Sequence, residues 1–464
     1  MYYLQNRWKL SDNKLIYYGL RNKENMFKNT VRLKTRQAEL ISLLPKALSD
    51  REISVLGSLV GEQIVTKENL NITPKTIKEA RFCKKCSANN FIIPGLEFDE
   101  NGICPMCQTM VETKNLRSIV PIIKEISRSK KSRFDVALFY TGGKDSTYLL
   151  YYLSKVKGLR VLALTWEIPY MSDSAKQSIE NAKKHFSTVE FITRTVSKTD
   201  MQKIYKKLYE LSENTCACPS LAYILFYPEL VSNRVPYFMA GNEPAQMLGL
   251  YYNNMAPKIA YSFSDNKFLQ IFFNVGRVLT LHPPLKRGQF HTLATMKQLA
   301  FGDSIFKKIS GYKNELVSNA VAAIHQIPQI VFPLRRSIRN SSWSGNIPAF
   351  VQVDFNEISG GIYNWNNIKE TIVKECGWVM PDDTAKGLHT SCKIEKCKEF
   401  SQFNRFYYCR SQMIPFSAIE ISLASRDKNI TRDEAIEEIE NFLGFSLEKI
   451  PECEVMCEFL KEKI

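Results

Sequence analysis

Short apolar runs alternating with helical segments dominate the middle of the chain. FDVALFY (134–140), RVLALTW (160–166), VEFITRTV (189–196) and PYFMAGN (236–242) are hydrophobic stretches of strand length. Between them lie TYLLYYLSKV (147–156), SDSAKQSIENAKKHF (172–186) and two further segments with apolar residues at helical spacing. Strands that are apolar on both faces and separated by helices predict a parallel, doubly wound α/β sheet covered on both sides. Ligands of such sheets bind at the carboxyl ends of the strands, which directs attention to the residues immediately after FDVALFY.

The flanks read differently. Residues 1–80 predict a small α+β module: a Tyr-rich pair of strands (YYLQNRWKL, KLIYYGLRN), then RQAELISLLPKAL and SDREISVLGSLVGEQIV, whose helical periodicity runs to Gly61 before a short strand. Two helices followed by a strand suit a winged-helix-like module that docks a substrate, and equally a cap packed on the next domain. Residues 81–115 form a compact cysteine knuckle, 130–250 the sheet domain, 251–350 an aromatic-rich helical insertion and 351–464 a C-terminal helical region. In the last, ITRDEAIEEIENFLG carries a capping box of Thr431 and Glu434, an apolar face of Ile436, Ile439 and Leu443, and Gly444 as a stop.

Length and charge narrow the function. A chain of 464 residues holds two or three domains. Its 63 Lys and Arg against 47 Asp and Glu, a net +16, favour anionic partners: nucleotides, sugar phosphates, an acidic carrier or RNA. Only SRSKKSR (127–133) and RRSIR (335–339) are dense, and neither interleaves aromatics for base stacking, so nucleic acid is not expected as a partner. The longest apolar stretch, FLQIFFNVGRVLTL (268–281), is interrupted by Asn274 and Arg277, so no membrane partner is expected either. MYYLQNRWKLSDNK lacks the parts of a signal peptide, and a cytoplasmic location is therefore expected.

After the first apolar run stands FYTGGKDST. A Walker loop needs G-x-x-x-x-G-K-[ST]; this chain has Thr141-Gly142-Gly143-Lys144-Asp145-Ser146. Two glycines at a strand end let backbone N–H groups approach phosphate, and the following helix N-terminus adds positive potential. Thr141 and Ser146 offer hydroxyls, Lys144 neutralises oxygens, and Asp145 holds a magnesium ion or caps the helix. The plain alternative is a glycine turn capping a helix.

The pattern T/S-G-G-x-D-S after an apolar strand resembles the PP-loop of N-type ATP pyrophosphatases, in the adenine nucleotide alpha hydrolase-like superfamily. That resemblance implies a Rossmann-like (HUP) sheet and cleavage of ATP between the α and β phosphates, with AMP transferred to a substrate oxygen. It also places Thr165 and Trp166 against adenine and Gly241, Asn242 and Glu243 in a second nucleotide-side loop. A non-catalytic nucleotide sensor on this fold would be expected to lose the loop aspartate or serine, and TGGKDS keeps both.

Twelve cysteines argue for metal or sulfur chemistry over disulfides. Cys83, Cys86, Cys104 and Cys107 follow C-x2-C-x17-C-x2-C, the spacing of a four-thiolate structural zinc site, with an iron–sulfur cluster as the rival. With PGLEFDENGIC between the pairs, GNEPAQMLG after the fourth strand and SAIEIS…ITRDEAIEE near the end, residues 81–250, and more loosely 410–445, resemble the N-acetyl sugar amidotransferase family. Residues 1–80 and the insertion lie outside that resemblance, so the sugar acceptor does not carry over.

The nucleophile that displaces AMP stays open. In the sugar enzymes ammonia arrives from a separate glutaminase; sulfur-transferring relatives use a persulfide or a cluster-bound sulfide. Cys216 and Cys218 in ENTCACPS precede a helix, and Cys392 and Cys397 in LHTSCKIEKC lie near His389, with Cys409 beyond. These are candidates for a persulfide relay or a three-thiolate [4Fe-4S] cluster. Cys376, Cys453 and Cys457 read as buried, inert thiols, and His389 as a hydrogen-bonding side chain. No glutaminase pattern is present, which favours sulfur slightly. Thioamide formation or thiolation of a small-molecule, peptide or carrier-bound acceptor, fed by a sulfur-donor protein, is therefore set against amidotransfer, with tRNA thiolation as a third reading.

Overall fold

Trp8 and Tyr17 face each other across a hairpin, ring edge to face at 5.1 Å and both buried, and around them the N-terminal fifth of the chain folds. The structure is a computed structural model that describes all residues except 23, 26–27, 62–63, 70–72, 110–122, 213–216, 254–266, 287, 304–314, 382–390, 409–412 and 462–464. It divides into two compact units, the first made of Met1–Val111, Tyr252–Asn254 and Glu399–Ile450 and the second of Glu112–Tyr251, Met255–Lys398 and Pro451–Ile464.

In the first unit β1 (Tyr3–Leu4) pairs antiparallel with β5 (Val65–Thr66). Strands β2 (Trp8–Ser11), β3 (Lys14–Tyr17) and β4 (Thr30–Arg32) form a second antiparallel sheet in that order. Helices Thr35–Ser42 and Asp50–Leu56 supply Leu40, Ile41 and Leu56 to the same apolar cluster as Trp8 and Leu15. The second helix ends at Gly57, one turn short of the expected Gly61, because Gly57 takes φ 55° and hands over to a 3-10 turn.

The module is tied to the segment between the cysteine pairs. Tyr17 donates its hydroxyl to the Gly95 carbonyl at 2.5 Å, and Arg21 meets Glu97 at 3.3 Å in a buried ion pair. A Cβ at Gly95 would sit 2.5 Å from the Tyr18 carbonyl, so PGLEF needs its glycine for this approach. Helices Phe416–Arg426 and Arg432–Asn441 complete the unit, the latter opened by the expected capping box of Thr431 and Glu434.

In the second unit, β6 (Val136–Phe139), β7 (Val161–Trp166), β8 (Glu190–Arg194), β9 (Tyr237–Ala240) and β10 (Ala349–Val351) form one parallel sheet ordered β10-β9-β6-β7-β8. Every residue of β6 and β7 is buried, as continuous apolar runs require. The fifth strand is a correction to the sequence reading: the region from 351 onward begins inside the sheet, and its three residues carry too little pattern to be seen. Helices Lys267–Leu279, Gln289–Phe301, Glu315–Ile324 and Pro328–Ser344 precede it.

The chain leaves β6 toward β7 and β8 and later crosses to β9 on the other side. The loops after β6 and β9 therefore diverge and leave a crevice at the sheet's carboxyl edge. At the opposite edge, Asp135 takes both the backbone N–H of Arg160 at 2.8 Å and its guanidinium at 2.6 Å, joining the starts of β6 and β7. Among the described residues no helix is long and apolar enough to cross a membrane.

Candidate functional site

TGGKDS occupies one wall of that crevice. Gly142 has φ 73°, and a Cβ there would lie 2.5 Å from the Ala175 carbonyl, so only glycine lets the loop settle against helix Asp173–His185. Gly143 caps helix Lys144–Tyr151, while Ser146 and Thr147 return their hydroxyls to its carbonyl at 3.1 and 2.8 Å. The Thr141 and Ser146 hydroxyls lie 3.2 Å apart. Trp378 donates its indole N–H to the Gly142 carbonyl at 3.1 Å, fixing the orientation of that peptide.

Gly241, the first residue after β9, forms the other wall. A Cβ on it would stand 2.7 Å from the Ser146 amide nitrogen, so the GNE loop and the first turn of the Lys144 helix touch backbone to backbone. Asn242 is half-buried and its N–H is bonded to the Ala240 carbonyl.

Glu243 and Lys144 meet inside. The Lys144 ammonium, 4% exposed, lies 2.6 Å from Asp145 Oδ1 and 3.1 Å from Glu243 Oε2 and also bonds the Tyr363 hydroxyl. Tyr363 reaches Asp145 and, at 2.9 Å, Glu243; Trp365 donates its indole N–H to Glu243 at 2.9 Å. Burial disfavours the lysine's charge, yet the two carboxylates outweigh it and raise its pKa. Burial raises the pKa of Glu243 despite Lys144, with Asp145 adding to the rise. Burial and the same two carboxylates hold the Tyr363 phenol well above its ordinary range.

Neither Tyr363 nor Trp365 stands out in the sequence. The only local signal is SGGIYNW, where Gly360 and Gly361 at φ 86° and 112° turn the chain ahead of the two aromatics. Helix Trp365–Cys376 then packs beside the Lys144 helix.

At the end of β7, Thr165 spends its hydroxyl on the Tyr140 carbonyl at 3.0 Å and so joins the two strand ends. Trp166 is 7% exposed, and its indole N–H has no partner among the described residues. The Tyr170 hydroxyl, also buried, has none. Trp166 and Tyr170 are thus two buried donors without a partner among the described residues, groups that a polar ligand or water can satisfy.

Ser391 and Cys392 run along this same strand end. Met171 and Cys392 form an antiparallel bridge, with Ser172 N–H donating to Ser391 at 2.9 Å and Lys393 N–H to Tyr170 at 2.8 Å. Ser391 lines a small cleft together with Gly142, Gly143, Lys144, Ser174 and Trp378. Cys392, half-buried, is thus the neighbour of a residue that borders the loop. Cys397 is fully buried; it and Cys392 lie close enough to Tyr170 to add to the rise that burial gives its phenol.

The other sulfur candidates separate. Cys218 opens helix Cys218–Ser232, whose Tyr223 packs its ring on Phe139 at the end of β6, on the loop's side of the sheet. Cys216, His389 and Cys409 lie outside the described residues. Cys376 is buried, and desolvation pushes its thiol up to about 12.

In the first unit, Cys83, Cys86, Cys104 and Cys107 are all buried, with their four Sγ atoms within 4.8 Å of one another. Backbone N–H groups of Lys85, Ala88 and Cys104 point at the sulfurs at 3.3 to 3.4 Å. Hydrogen bonds from neighbouring thiols, then burial, push Cys86 and Cys104 far up, since four packed sulfurs cannot all be anionic without a cation among them. Donor set and spacing fit a bound metal. Arg432, first residue of the helix in ITRDEAIEE, donates to the Cys83 and Cys86 carbonyls at 3.3 and 3.2 Å, which joins two segments far apart in sequence.

No protein-family model matches the chain. No curated protein matches it. Among solved structures it is similar to the U34-tRNA thiolase NcsA from Methanococcus maripaludis with its [4Fe-4S] cluster, at 14% identity and a TM-score of 0.23, over 56% of this chain and 88% of that one. A likeness at that score carries no weight for function, which rests on the chain's own residues.

Proposed function

We propose that the chain splits ATP into AMP and pyrophosphate to adenylate an amide or carbonyl oxygen, and then replaces that oxygen with a heteroatom, sulfur ahead of nitrogen. The observation that carries the reading is TGGKDS at the carboxyl end of β6, at the point where the sheet's strand order reverses, with the Gly241 backbone closed against it. The acceptor oxygen attacks the α-phosphorus and pyrophosphate departs; a sulfur or nitrogen nucleophile then attacks the acceptor carbon, and AMP departs with the oxygen. Gly142, Gly143 and the helix N-terminus would hold phosphate oxygens, with Asp145 a ligand for magnesium and Lys144 a counter-charge. The orphaned Trp166 N–H suits the adenosine side.

Sulfur is favoured because Cys392 directly follows Ser391, which borders the loop's cleft. A persulfide on Cys392 would attack the acceptor carbon with its outer sulfur as AMP leaves, giving a disulfide-linked adduct. An external thiol then attacks the Cys392 sulfur, which frees the thio product and leaves Cys392 in a mixed disulfide for a second thiol to reduce. Amidotransfer by ammonia from a separate glutaminase is the second reading, supported by the resemblance of the cysteine knuckle and the GNE loop to the N-acetyl sugar amidotransferases. The four-thiolate group we assign to structural zinc. One ion with Zn–S bonds of about 2.3 Å spaces its sulfurs about 3.8 Å apart. The Cys86 and Cys104 sulfurs stand 3.7 Å apart.

The test is AMP and pyrophosphate release from ATP by the purified protein, with sulfide or ammonium supplied separately. Asp145→Ala should abolish release while the fold and metal content stay; release unchanged in that variant sinks the nucleotide assignment. Loss, in Cys392→Ala, of product formed with a sulfane-sulfur donor and a thiol reductant, with product from free sulfide retained, supports sulfur transfer through Cys392. Turnover with ammonium that ignores Cys392 and Cys218 returns the assignment to amidotransfer.

A further inference from the structure

Helix Lys267–Leu279 is mounted with its polar side inward. Asn274 exchanges two hydrogen bonds with the Leu285 backbone, at 3.0 and 2.7 Å. Arg277 donates to the Pro283 and Ser342 carbonyls, both at 2.9 Å. Burial lowers the guanidinium's pKa, as expected for a cation used as an internal strut. The opposite face carries Ile271, Phe272, Val275 and Leu279, spaced as one helical stripe, and Phe272 and Leu279 are 72% and 78% exposed. Leu281 (82% exposed) extends the stripe beyond the helix, and Trp343, stacked on His282 at 4.3 Å, stands exposed beside it.

The helix, the segment after it and the Trp343 helix carry charge of one sign, with Asp303 the next acid along the chain, bonded to Gln298. Residues 267–302 and 328–344 contain no Asp or Glu, while Lys267, Lys286, Lys297, Arg335, Arg336 and Arg339 all lie within them. A second copy meeting this face about a two-fold axis would bring like charges together. The stripe lies on a single outward-facing helix with an aromatic beside it and cations flanking it, which is the composition of a helix that lies in a lipid interface.

We propose that the Lys267–Leu279 helix seats the protein on an anionic lipid surface, with Phe272, Val275 and Leu279 entering the acyl boundary and the flanking Lys and Arg meeting the headgroups. The absence of a spanning segment among the described residues is no obstacle, because a helix lying in the interface spans nothing. Seated so, the protein would act on acceptors held at or delivered to that surface.

The test is co-sedimentation of the full-length protein with phosphatidylcholine vesicles, with and without phosphatidylglycerol. Binding is expected only with phosphatidylglycerol and should weaken as salt rises. The pair Phe272→Ser and Leu279→Ser should reduce it at least about tenfold, and a charge-reversing substitution of Arg336 and Arg339 to Glu should reduce it independently. These side chains lie outside the loop's crevice, so AMP formation in detergent-free solution reports that each variant is folded. Failure to bind anionic vesicles overturns the proposal, as does binding that survives the Phe272 and Leu279 substitutions. Concentration-dependent dimerisation abolished by the same substitutions, without vesicle binding, would give the face to a second copy and also overturn it. None of these outcomes depends on which nucleophile displaces AMP.

Discussion

Lys144 and Glu243, 99 residues apart in sequence, form a buried ion pair of 3.1 Å that joins the TGGKDS loop to the GNE loop. Glu243→Ala would leave the ammonium with Asp145 as its one remaining carboxylate. Loss of one partner of a buried pair costs about 3–5 kcal/mol. Urea unfolding should show that loss, and Glu243→Gln, which keeps an acceptor for Lys144, Tyr363 and Trp365, should show less. Tyr363→Phe removes one donor from the cluster and should cost about 1–2 kcal/mol by the same measurement.

Gly241→Ala tests the backbone contact between the two walls of the crevice. The added carbon would stand 2.7 Å from the Ser146 amide nitrogen and 2.9 Å from its Cα, atoms that cannot step aside as a flexible side chain can. The expected result is a protein that still folds but forms AMP at least about tenfold more slowly, since misplacement of a reacting group by an ångström costs up to about a hundredfold. Rates indistinguishable from the parent would show that the GNE loop does not position Ser146.

Metal removal should act on the first unit. Cys83→Ser or a strong chelator takes away a ligand or the ion from four sulfurs packed within 4.8 Å, and for such sites metal binding is folding energy. Metal analysis of the parent should find about one zinc per chain. The Cys83 variant should bind none and become susceptible to proteolysis in residues 81–109. Zinc-free parent protein, or iron with acid-labile sulfide in its place, contradicts the assignment.

Much of the sheet was legible because its strands are buried on both faces. The runs expected at 134–140, 160–166, 189–196 and 236–242 contain β6, β7, β8 and β9, each shorter than its run by one to three residues. β10 escaped because three residues after a long helical excursion show neither alternation nor length. At the site, the local parts were readable: glycines, a helix start, a spacing of cysteines. What gathers around Lys144 was not, since Tyr363 and Trp365 come more than 200 residues later. Their place depends on helix Trp365–Cys376 returning to pack beside the loop's helix. The same holds for Arg432, whose role at the cysteine knuckle depends on a helix more than 340 residues away.

Asp135 gives a pH test of the sheet's far edge. Burial alone would raise its pKa, but the Arg160 side chain and the N–H groups of Arg160 and Ser129 outweigh it and lower the value below the ordinary 3.8. A carboxyl depressed in the folded state stabilises above its unfolded pKa and loses that contribution as pH falls through the folded one. Asp135→Asn should therefore be less stable at pH 7 by about 1–3 kcal/mol. The gap between variant and parent should narrow below about pH 4. A gap that stays constant from pH 7 to pH 3 would show that the carboxylate's charge is not what holds the edge.

The bond from the Trp378 indole to the Gly142 carbonyl gives the protein a built-in optical reporter. Of five tryptophans in the chain, Trp378 touches the loop's peptide, Trp365 is bonded to Glu243, and Trp166 ends the strand next to β6 with an indole N–H that has no partner among the described residues. If a triphosphate occupies the crevice as proposed, it should change the field at these indoles. Emission from the unlabelled protein should then follow nucleotide titration directly, with Trp378→Phe removing the component that reads the loop itself.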